Sequence, residues 1–238
     1  MKKILLFSLF LALPLVAWPA LPVQHGDSAY ALSLSAGYGY NSTYLSHGDF
    51  DISAFLPVNP YCELQADIRL STADVYSFGF QARPKFLIPV GCLYLQTQIL
   101  YRDLHRNLFH EFSGAVSLGY RMDYVDFSLG CGMRLMRPFA LDYHSTEQMV
   151  AEPFILTYSL RVFVRPQSAD WNLYFRLSDW DDFQIERVWS PIFGLGAWYD
   201  IDSHCRLGLM ADCKPTGMFH LNAAFYAASA LASFSYRF

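Results

Sequence analysis

Charge is scarce in this chain of 238 residues, since Lys, Arg, Asp and Glu make up only 16% of it. Soluble domains carry roughly 25% charged residues, and a soluble protein with so little charge would struggle to cover its surface. A protein surrounded by lipid needs no such cover, and the 53% hydrophobic and 17% aromatic residues fit that environment. The net charge of −4 also argues against a nucleic-acid partner.

The chain also has no long apolar run after its N-terminal segment. That segment begins with two lysines and continues as an apolar stretch over residues 4–17, which is short for a membrane span and typical of a signal peptide. We therefore predict a signal peptide over residues 1–20, cleaved near Ala17 or Ala20, and one domain over residues 21–238. An uncleaved N-terminal anchor is the alternative.

No later apolar run is long enough for a transmembrane helix, and the longest, residues 223–234, contains Ser229 and Ser233. Insertion into a membrane must therefore use strands. Only a closed barrel lets strands satisfy all their backbone hydrogen bonds in lipid. The sequence thus predicts an all-β chain that folds as a closed antiparallel transmembrane β-barrel.

Cysteine offers no pairing scheme, because the residues are odd in number and follow no metal-ligand spacing. We interpret them as small apolar side chains, most of them facing lipid. A disulfide between Cys205 and Cys213 is the alternative, but both fall on one predicted strand, which holds them too far apart. The cysteines are Cys62, Cys92, Cys131, Cys205 and Cys213.

What the chain has instead is a strict alternation of apolar and polar residues. From Cys62 to Ser71 every second residue is apolar and each neighbour is polar, so a strand here has one lipophilic face and one polar face. A soluble β-sandwich or lipocalin-like barrel would alternate too. The length of the repeats, the aromatic residues at strand ends and the nearly uncharged apolar faces favour the membrane barrel. The pattern recurs over residues 125–136, 154–165, 171–178 and 204–213.

We predict twelve strands, with ten as the alternative because residues 50–56 and 75–83 have weak patterns. If both termini are periplasmic, alternate connections should be short turns and the others longer external loops. The last segment changes phase near Ala227, which predicts a bulge or a second short strand. The predicted turns are 57–60, 84–89, 121–122, 166–169 and 200–202. The predicted strands are 29–40, 49–56, 61–71, 75–83, 90–101, 108–120, 122–136, 153–165, 170–178, 188–199, 203–213 and 219–238.

The final predicted strand ends in alternating aromatic residues. Phe234, Tyr236 and Phe238 share one face, with polar side chains between them. This pattern resembles the C-terminal β-signal of bacterial outer-membrane barrel proteins. The resemblance implies an outer-membrane location, contact with outer-membrane lipid, and recognition of these three side chains by the barrel-assembly machinery.

Charged residues at inward positions form the candidate site. Three arginines on successive strands predict a basic column, and acidic residues from earlier strands would lie on another part of the wall. Opposed charges across a hydrated lumen would create a field that selects small charged or zwitterionic solutes, so we expect a passive channel for small solutes. The predicted lumen-lining residues are Arg134, Arg161, Arg176, Arg206, Asp67, Glu111 and Asp126.

The alternative is that these charged groups pair with each other and fill the lumen. The chain would then be a structural barrel or an adhesin that acts through its external loops. Inward glycines such as Gly130 and Gly196 bear on this choice, because they either leave space for a lumen or mark the bends that closure requires.

A protease of the omptin type is a third hypothesis, since such barrels use paired aspartates and an Asp–His pair to activate water. The chain offers Asp142 and His144 in a predicted external loop, and D-x-D triplets begin at Asp49 and Asp179. Aspartate is common in loops, so these triplets are weak indications and we predict no catalytic residue. No phosphate-binding loop or metal-ligand spacing is present in the sequence, so no cofactor or metal is expected.

Overall fold

The computed structural model describes residues 30–41, 45–73, 75–104, 109–138, 150–179, 191–216 and 224–238. These residues form twelve strands, and each overlaps a predicted one. The predicted signal peptide, residues 1–20, lies outside the described residues. The strands are β1 (Ala31–Asn41), β2 (Leu45–Asn59), β3 (Cys62–Ser71), β4 (Val75–Ile88), β5 (Gly91–Leu104), β6 (Phe109–Arg121), β7 (Val125–Pro138), β8 (Val150–Phe163), β9 (Trp171–Ser178), β10 (Ile192–Asp200), β11 (Cys205–Thr216) and β12 (Ala224–Arg237).

No helix within these ranges is long and apolar enough to cross a membrane.

The strands close into one antiparallel barrel. Each strand pairs with its neighbours in sequence, and β1 pairs with β12 from Ala31 opposite Arg237 to Asn41 opposite Ala227. Closure leaves no unpaired sheet edge, which is the condition for strands to span a lipid bilayer. The predicted fold class and the count of twelve strands are confirmed. The ten-strand alternative is wrong, because the two weakly patterned segments form the full strands β2 and β4.

The two ends of the barrel differ. The turn end holds both termini of the barrel and the connections β2–β3, β4–β5, β6–β7, β8–β9 and β10–β11. There the backbone N–H of Phe238 donates to the carbonyl oxygen of Tyr30 at 2.8 Å. The loop end holds the other connections, which fall largely outside the described residues. This arrangement matches the predicted division between turns and loops.

Two predicted turns, residues 57–60 and 84–89, are wrong, because β2 continues to Asn59 and β4 continues through Pro84 to Ile88. Pro84 has no N–H to donate to the neighbouring strand. The pairing with β5 stops at Ala82 opposite Thr97 and resumes at Lys85 opposite Tyr94 in an unchanged register. The proline therefore marks a gap in the hydrogen-bond ladder and not the end of the strand.

The change of phase in the last strand corresponds to a β-bulge. Lys214 pairs with Ala227, whereas the next residue, Pro215, pairs with Phe225. One residue of β12 is therefore extra at this point. The bulge that the sequence predicts near Ala227 is confirmed, and it increases the local twist that closure requires.

The barrel is apolar on its outer face and polar on its inner face. Leu209, which points outward, is 63% exposed, whereas the inward Asp67 and Arg176 are 1% and 2% exposed. Soluble proteins have the reverse arrangement, with their apolar side chains buried. The soluble β-sandwich alternative therefore does not fit, and the outer face is suited to lipid.

All five cysteines are free, as predicted. Cys92 is buried on the inner face, and the other four lie on the outer face. Cys205 and Cys213 both lie on β11, so the single strand between them keeps them apart.

Asp202 stabilises the turn between β10 and β11. Its Oδ1 accepts hydrogen bonds from the backbone N–H groups of His204 and Cys205, both at 2.7 Å. These bonds favour the charged form and lower the pKa of Asp202 below its usual value. Because this pKa is lower in the folded state, the stabilisation is present above the unfolded-state pKa and is lost as the pH falls through the folded-state pKa.

We expect Asp202→Ala to weaken the folded barrel slightly at neutral pH and to match the wild type in acid. Asp202→Asn keeps an oxygen acceptor and should retain much of the neutral-pH stability. Denaturant unfolding at several pH values measures both effects. A loss of the same size at every pH would contradict this account.

Candidate functional site

The inner face holds all seven residues that the sequence predicts at the lumen. Five of the seven are buried, and the other two, Arg134 and Arg161, are partly exposed. Burial inside the barrel means that neighbouring inward side chains cover these groups. That they line a path for solutes stays a prediction.

Most of these charges pair with a group on an adjacent strand. Glu111 forms an ion pair with Arg102 from β5, and both side chains are almost completely buried. Arg134 Nε donates to Glu152 Oε2 at 3.0 Å, from β7 to β8. Asp67 is an exception, because it accepts at 3.3 Å from the amide of Gln65 on its own strand, β3. These contacts run along the wall and do not cross the barrel.

Two further arginines reach aspartates on the β10–β11 side. Arg206 donates from Nε to Oδ1 of Asp200 at 2.5 Å and from Nη2 to Oδ2 at 2.8 Å. Arg176 Nη1 lies 3.5 Å from Oδ2 of Asp212, two strands away. Gly194 lies between them, and a Cβ there would collide with Asp212. Glycine therefore makes room for this longer-range pair.

The predicted basic column forms only in part. Arg161 and Arg176 are directly opposite each other on β8 and β9. Arg134 is engaged by Glu152 nearer the loop end, so it does not continue the column. Within the described residues the three predicted arginines therefore do not form one continuous column.

Several charged residues that take part in contacts inside the barrel are not predicted from the sequence. Arg102 and Arg121 lie just beyond the predicted ends of their strands, and Lys85 lies in the predicted turn 84–89, which is part of β4. Each continues the inward phase of its strand, so longer strand boundaries would have identified it. Lys85 and Arg83 both pair with Glu63 on the inner wall.

Asp126 is at the centre of one group of such contacts. Its Oδ1 accepts from the hydroxyl of Tyr94 at 2.6 Å, and its Oδ2 accepts from Arg121 Nε at 2.7 Å. The guanidinium groups of Arg83 and Arg121 lie 5.0 Å and 5.3 Å from the centre of the Tyr94 ring. Both cations are close enough to the ring for cation–π attraction to stabilise the arrangement.

The glycines next to two inward tyrosines do not open a lumen. A Cβ on Gly119 would overlap the Tyr94 ring, and a Cβ on Gly196 would overlap the Tyr174 ring. Each glycine is directly opposite its tyrosine on the adjacent strand. Gly196 is one of the glycines that the sequence offers either as lumen space or as a bend, and an aromatic ring occupies the space beside it. Gly119, which is not among those glycines, accommodates a ring in the same way.

Aromatic side chains close part of the interior near the turn end. Phe163, Tyr174 and Trp198 form a buried cluster with ring centroids 5.6–5.7 Å apart. Arg206 lies over the Trp198 ring at 5.1 Å, which joins this cluster to the Asp200 ion pair. Any solute path must therefore pass beside the cluster, along another part of the wall.

A cavity of about 50 Å³ lies on that other side. Arg161 and Arg83 are its cations, and hydroxyl and amide side chains make up most of the remaining surface. It lies between the Tyr94–Asp126 group and the inner faces of β8 and β9. The residues that line it are Arg83, Tyr94, Gln96, Gln98, Ser117, Asp126, Ser128, Thr157, Tyr158, Ser159, Arg161, Ser178 and Asp179.

The C-terminal aromatic residues lie on the lipid-facing side of β12. Phe234 and Tyr236 are each 40% exposed, and the rings of Tyr236 and Phe238 meet edge to face at 5.0 Å. The three side chains share one outward face, as their spacing predicts. Their recognition by the assembly machinery stays a prediction.

The residues named for a protease are not assembled into a site in the described structure. Asp142 and His144 lie outside the described residues. Asp49 points into the barrel, with His47 Nε2 3.6 Å from its Oδ2. Asp179 is buried, and its Oδ1 accepts the backbone N–H of Tyr158 at 2.7 Å. Among the described residues no group of three His, Cys, Asp or Glu side chains could hold a metal ion.

A closed barrel of twelve strands, apolar outside and polar inside, defines the class of outer-membrane β-barrels. No protein-family model and no curated protein matches the chain. Solved structures do match it. The NanC porin has a TM-score of 0.59 at 10% identity, over 87% of this chain and 100% of that chain. The KdgM porin in complex with disordered oligogalacturonate has 0.53 at 8%, over 87% and 99%.

A third similar structure is an outer membrane channel from Pseudomonas putida F1. It has a TM-score of 0.54 at 9% identity, and the match covers 95% of this chain and 100% of that chain. At such low identity the likeness is one of fold. The fold is shared with bacterial outer-membrane porins and channels.

Proposed function

We propose that this chain is a passive channel for small solutes in a bacterial outer membrane. The observation that carries the proposal is the inner wall, where charged and hydroxyl side chains run from the turn end to the loop end inside an apolar exterior. Polar walls of this kind hold water and lower the barrier for polar solutes in lipid. The porins and channels of the same fold support this assignment.

The path is narrow, which limits the solutes to small ones. Inward side chains such as Asp67, Arg102 and Arg176 are at most 3% exposed, and the cavity near Arg161 measures about 50 Å³. A solute must therefore displace water and side chains as it passes. The proposal assigns transport and no catalysis to the chain.

Conductance of single molecules in a planar bilayer tests the proposal. The refolded protein should give discrete, reproducible current steps. Ser128→Phe places a ring on the cavity wall and should reduce the steps several-fold. Leu129→Phe, the next residue, points into lipid and should leave them unchanged, which makes it the matched control. Silence from wild-type protein that is demonstrably folded would contradict the channel.

A structural barrel or adhesin is the second candidate, and the packing of the interior favours it. The Arg102–Glu111 pair and the Phe163, Tyr174 and Trp198 cluster fill space that an open pore would leave to water. In that case folded protein would be silent in the bilayer. Deletions in the connections over residues 139–149 and 180–190 would then change adhesion.

Export and assembly belong to the same proposal. We infer that residues 1–20 direct secretion and that Phe234, Tyr236 and Phe238 are read by the barrel-assembly machinery. The outward, shared face of these three side chains supports that inference, since a partner can reach them on β12 before the barrel closes.

A further inference from the structure

We propose that the cavity beside Arg161 is a binding subsite for a compact monovalent anion, such as a halide or a short carboxylate. This proposal extends the proposed channel function and rests on it, because an anion held there would lie on the solute path. Binding itself does not depend on conduction and can be measured separately.

Arg161 carries a charge that no carboxylate in the described structure takes up directly. Its neighbour on β7 is Asp126, and both oxygens of that carboxylate are already bonded, one by Tyr94 and the other by Arg121. Its neighbour on β9 is Arg176, another cation. Asp126 attracts Arg161 at longer range, but within the described ranges Arg161 makes no hydrogen bond or ion pair.

Hydroxyl groups line the same cavity as this guanidinium and are equally unengaged. Ser117, Ser128 and Thr157 are at most 8% exposed and line the cavity, together with Ser159. Within the described residues none of these four side chains makes a hydrogen bond. A buried hydroxyl normally has a partner, so these groups are available to donate to a ligand or to water in the cavity.

Two arginines and two aspartates line the cavity, and Arg161 is the group that favours an anion over a cation. Arg83 is already engaged, because Gln96 Oε1 accepts from its Nε at 3.2 Å and from its Nη2 at 2.7 Å, and its Nη1 lies 3.6 Å from Glu63 Oε2. Each of the two acids of the wall accepts at least one hydrogen bond. Asp126 is bonded as described, and Asp179 accepts a backbone N–H of Tyr158. An entering cation would meet two arginines, whereas an anion would meet donors.

The size of the cavity sets the class of ligand. Its volume of about 50 Å³ has room for at least a few water molecules, since about 10–15 Å³ of such space holds one. A halide, or a carboxylate with a short chain, fits such a space. A sugar chain or a nucleotide would have to extend well beyond it. The subsite therefore selects for charge and small size together.

Bromide provides a direct test, because its anomalous scattering locates it in crystals. Crystals of the protein grown with bromide should show a peak between Arg161 and the hydroxyl groups, and acetate should displace it. In Arg161→Gln, bromide affinity measured by halide NMR line broadening should fall about tenfold or more, as expected when a charge-assisted hydrogen bond is lost. Arg161→Lys keeps the charge and should recover part of the binding.

Arg134→Gln is the matched control, since Arg134 is an inward arginine that Glu152 already neutralises and that does not line the cavity. It should bind bromide as the wild type does. Absence of bromide in the wild type, or equal binding in Arg161→Gln, would overturn the subsite. If bromide binds at Arg161 but the barrel never conducts, the subsite proposal stands and the channel proposal is wrong. In a conducting barrel, Arg161→Gln should also shift the reversal potential toward cation preference, and an unchanged potential would place the subsite off the path.

Discussion

Replacing Glu111 with glutamine is expected to destabilise the barrel by about 3–5 kcal/mol, the usual cost of removing one partner from a buried ion pair. Glu111 and Arg102 are 0% and 4% exposed as side chains. Glutamine can still accept from Ser113, which donates to Glu111 Oε1 at 2.8 Å, but it leaves the Arg102 charge buried without its counter-ion. Denaturant unfolding in lipid vesicles measures the free energy of unfolding.

Glu152→Gln is the control, because it is the same substitution in a pair with Arg134 where the glutamate side chain is 24% exposed. Solvent screens that pair, so the expected loss is about 1 kcal/mol or less. The double variant Arg102→Met with Glu111→Leu should recover most of the lost stability, since two apolar groups replace two charges. Equal losses at Glu111 and Glu152 would show that water reaches the Arg102–Glu111 pair.

Replacing Gly130 with alanine is the second change with a large expected effect. A Cβ at this inward position would come closer than 3.0 Å to the carbonyl oxygen of Val116 and to the Cα of Ser117. Both are backbone atoms of β6, so the strand itself would have to move. We expect a loss of about 1–3 kcal/mol, as for other overpacked sites, with lower refolding yield.

Gly114→Ala is the matched control, because Gly114 lies on β6 next to this contact and a Cβ there would meet only the Gln98 carbonyl oxygen, at 3.5 Å. It should fold with near wild-type stability. If Gly114→Ala and Gly130→Ala unfold alike, the close approach of β6 and β7 is not what requires glycine at residue 130.

Glu111→Gln and Gly130→Ala both measure how tightly the interior of the barrel is packed. Ion pairs and aromatic rings occupy much of the inner volume, and the cavity near Arg161 is small. A stable interior of this kind explains how a channel could admit small solutes while excluding larger ones. It also explains why conductance is the deciding measurement between a channel and a filled barrel.

Much of the architecture could be predicted from the chain because period-two alternation is a local property. Each strand must present an apolar face to lipid. The apolar and polar faces of a strand such as Cys62–Ser71 can therefore be predicted from its own residues, without knowledge of any other strand. The errors fell where local signals misled. Proline is common in turns, which explains the error at Pro84. Arg102 and Arg121 lie just past residues 101 and 120, the predicted ends of their strands.

The candidate site could be predicted only as a set of inward positions. Alternation places Arg134, Arg161 and Arg176 on the inner face, but it does not say which acid each one meets. The structure gives Arg134 and Arg176 their own partners and leaves Arg161 facing a cavity.

The sequence by itself determined that this chain is a closed β-barrel with an apolar outer face and a polar inner face. The reason is that the two-residue period of a strand, and the need of every backbone group in lipid for a hydrogen bond, act on each segment alone. Only the tertiary structure decided which charges cancel. The stagger between strands brings Tyr94 and Arg121 to the two oxygens of Asp126. That contact depends on the register of three strands at once, so no single segment encodes it. Because Tyr94 and Arg121 take both oxygens of Asp126, Arg161 has no hydrogen bond to the aspartate opposite it on β7.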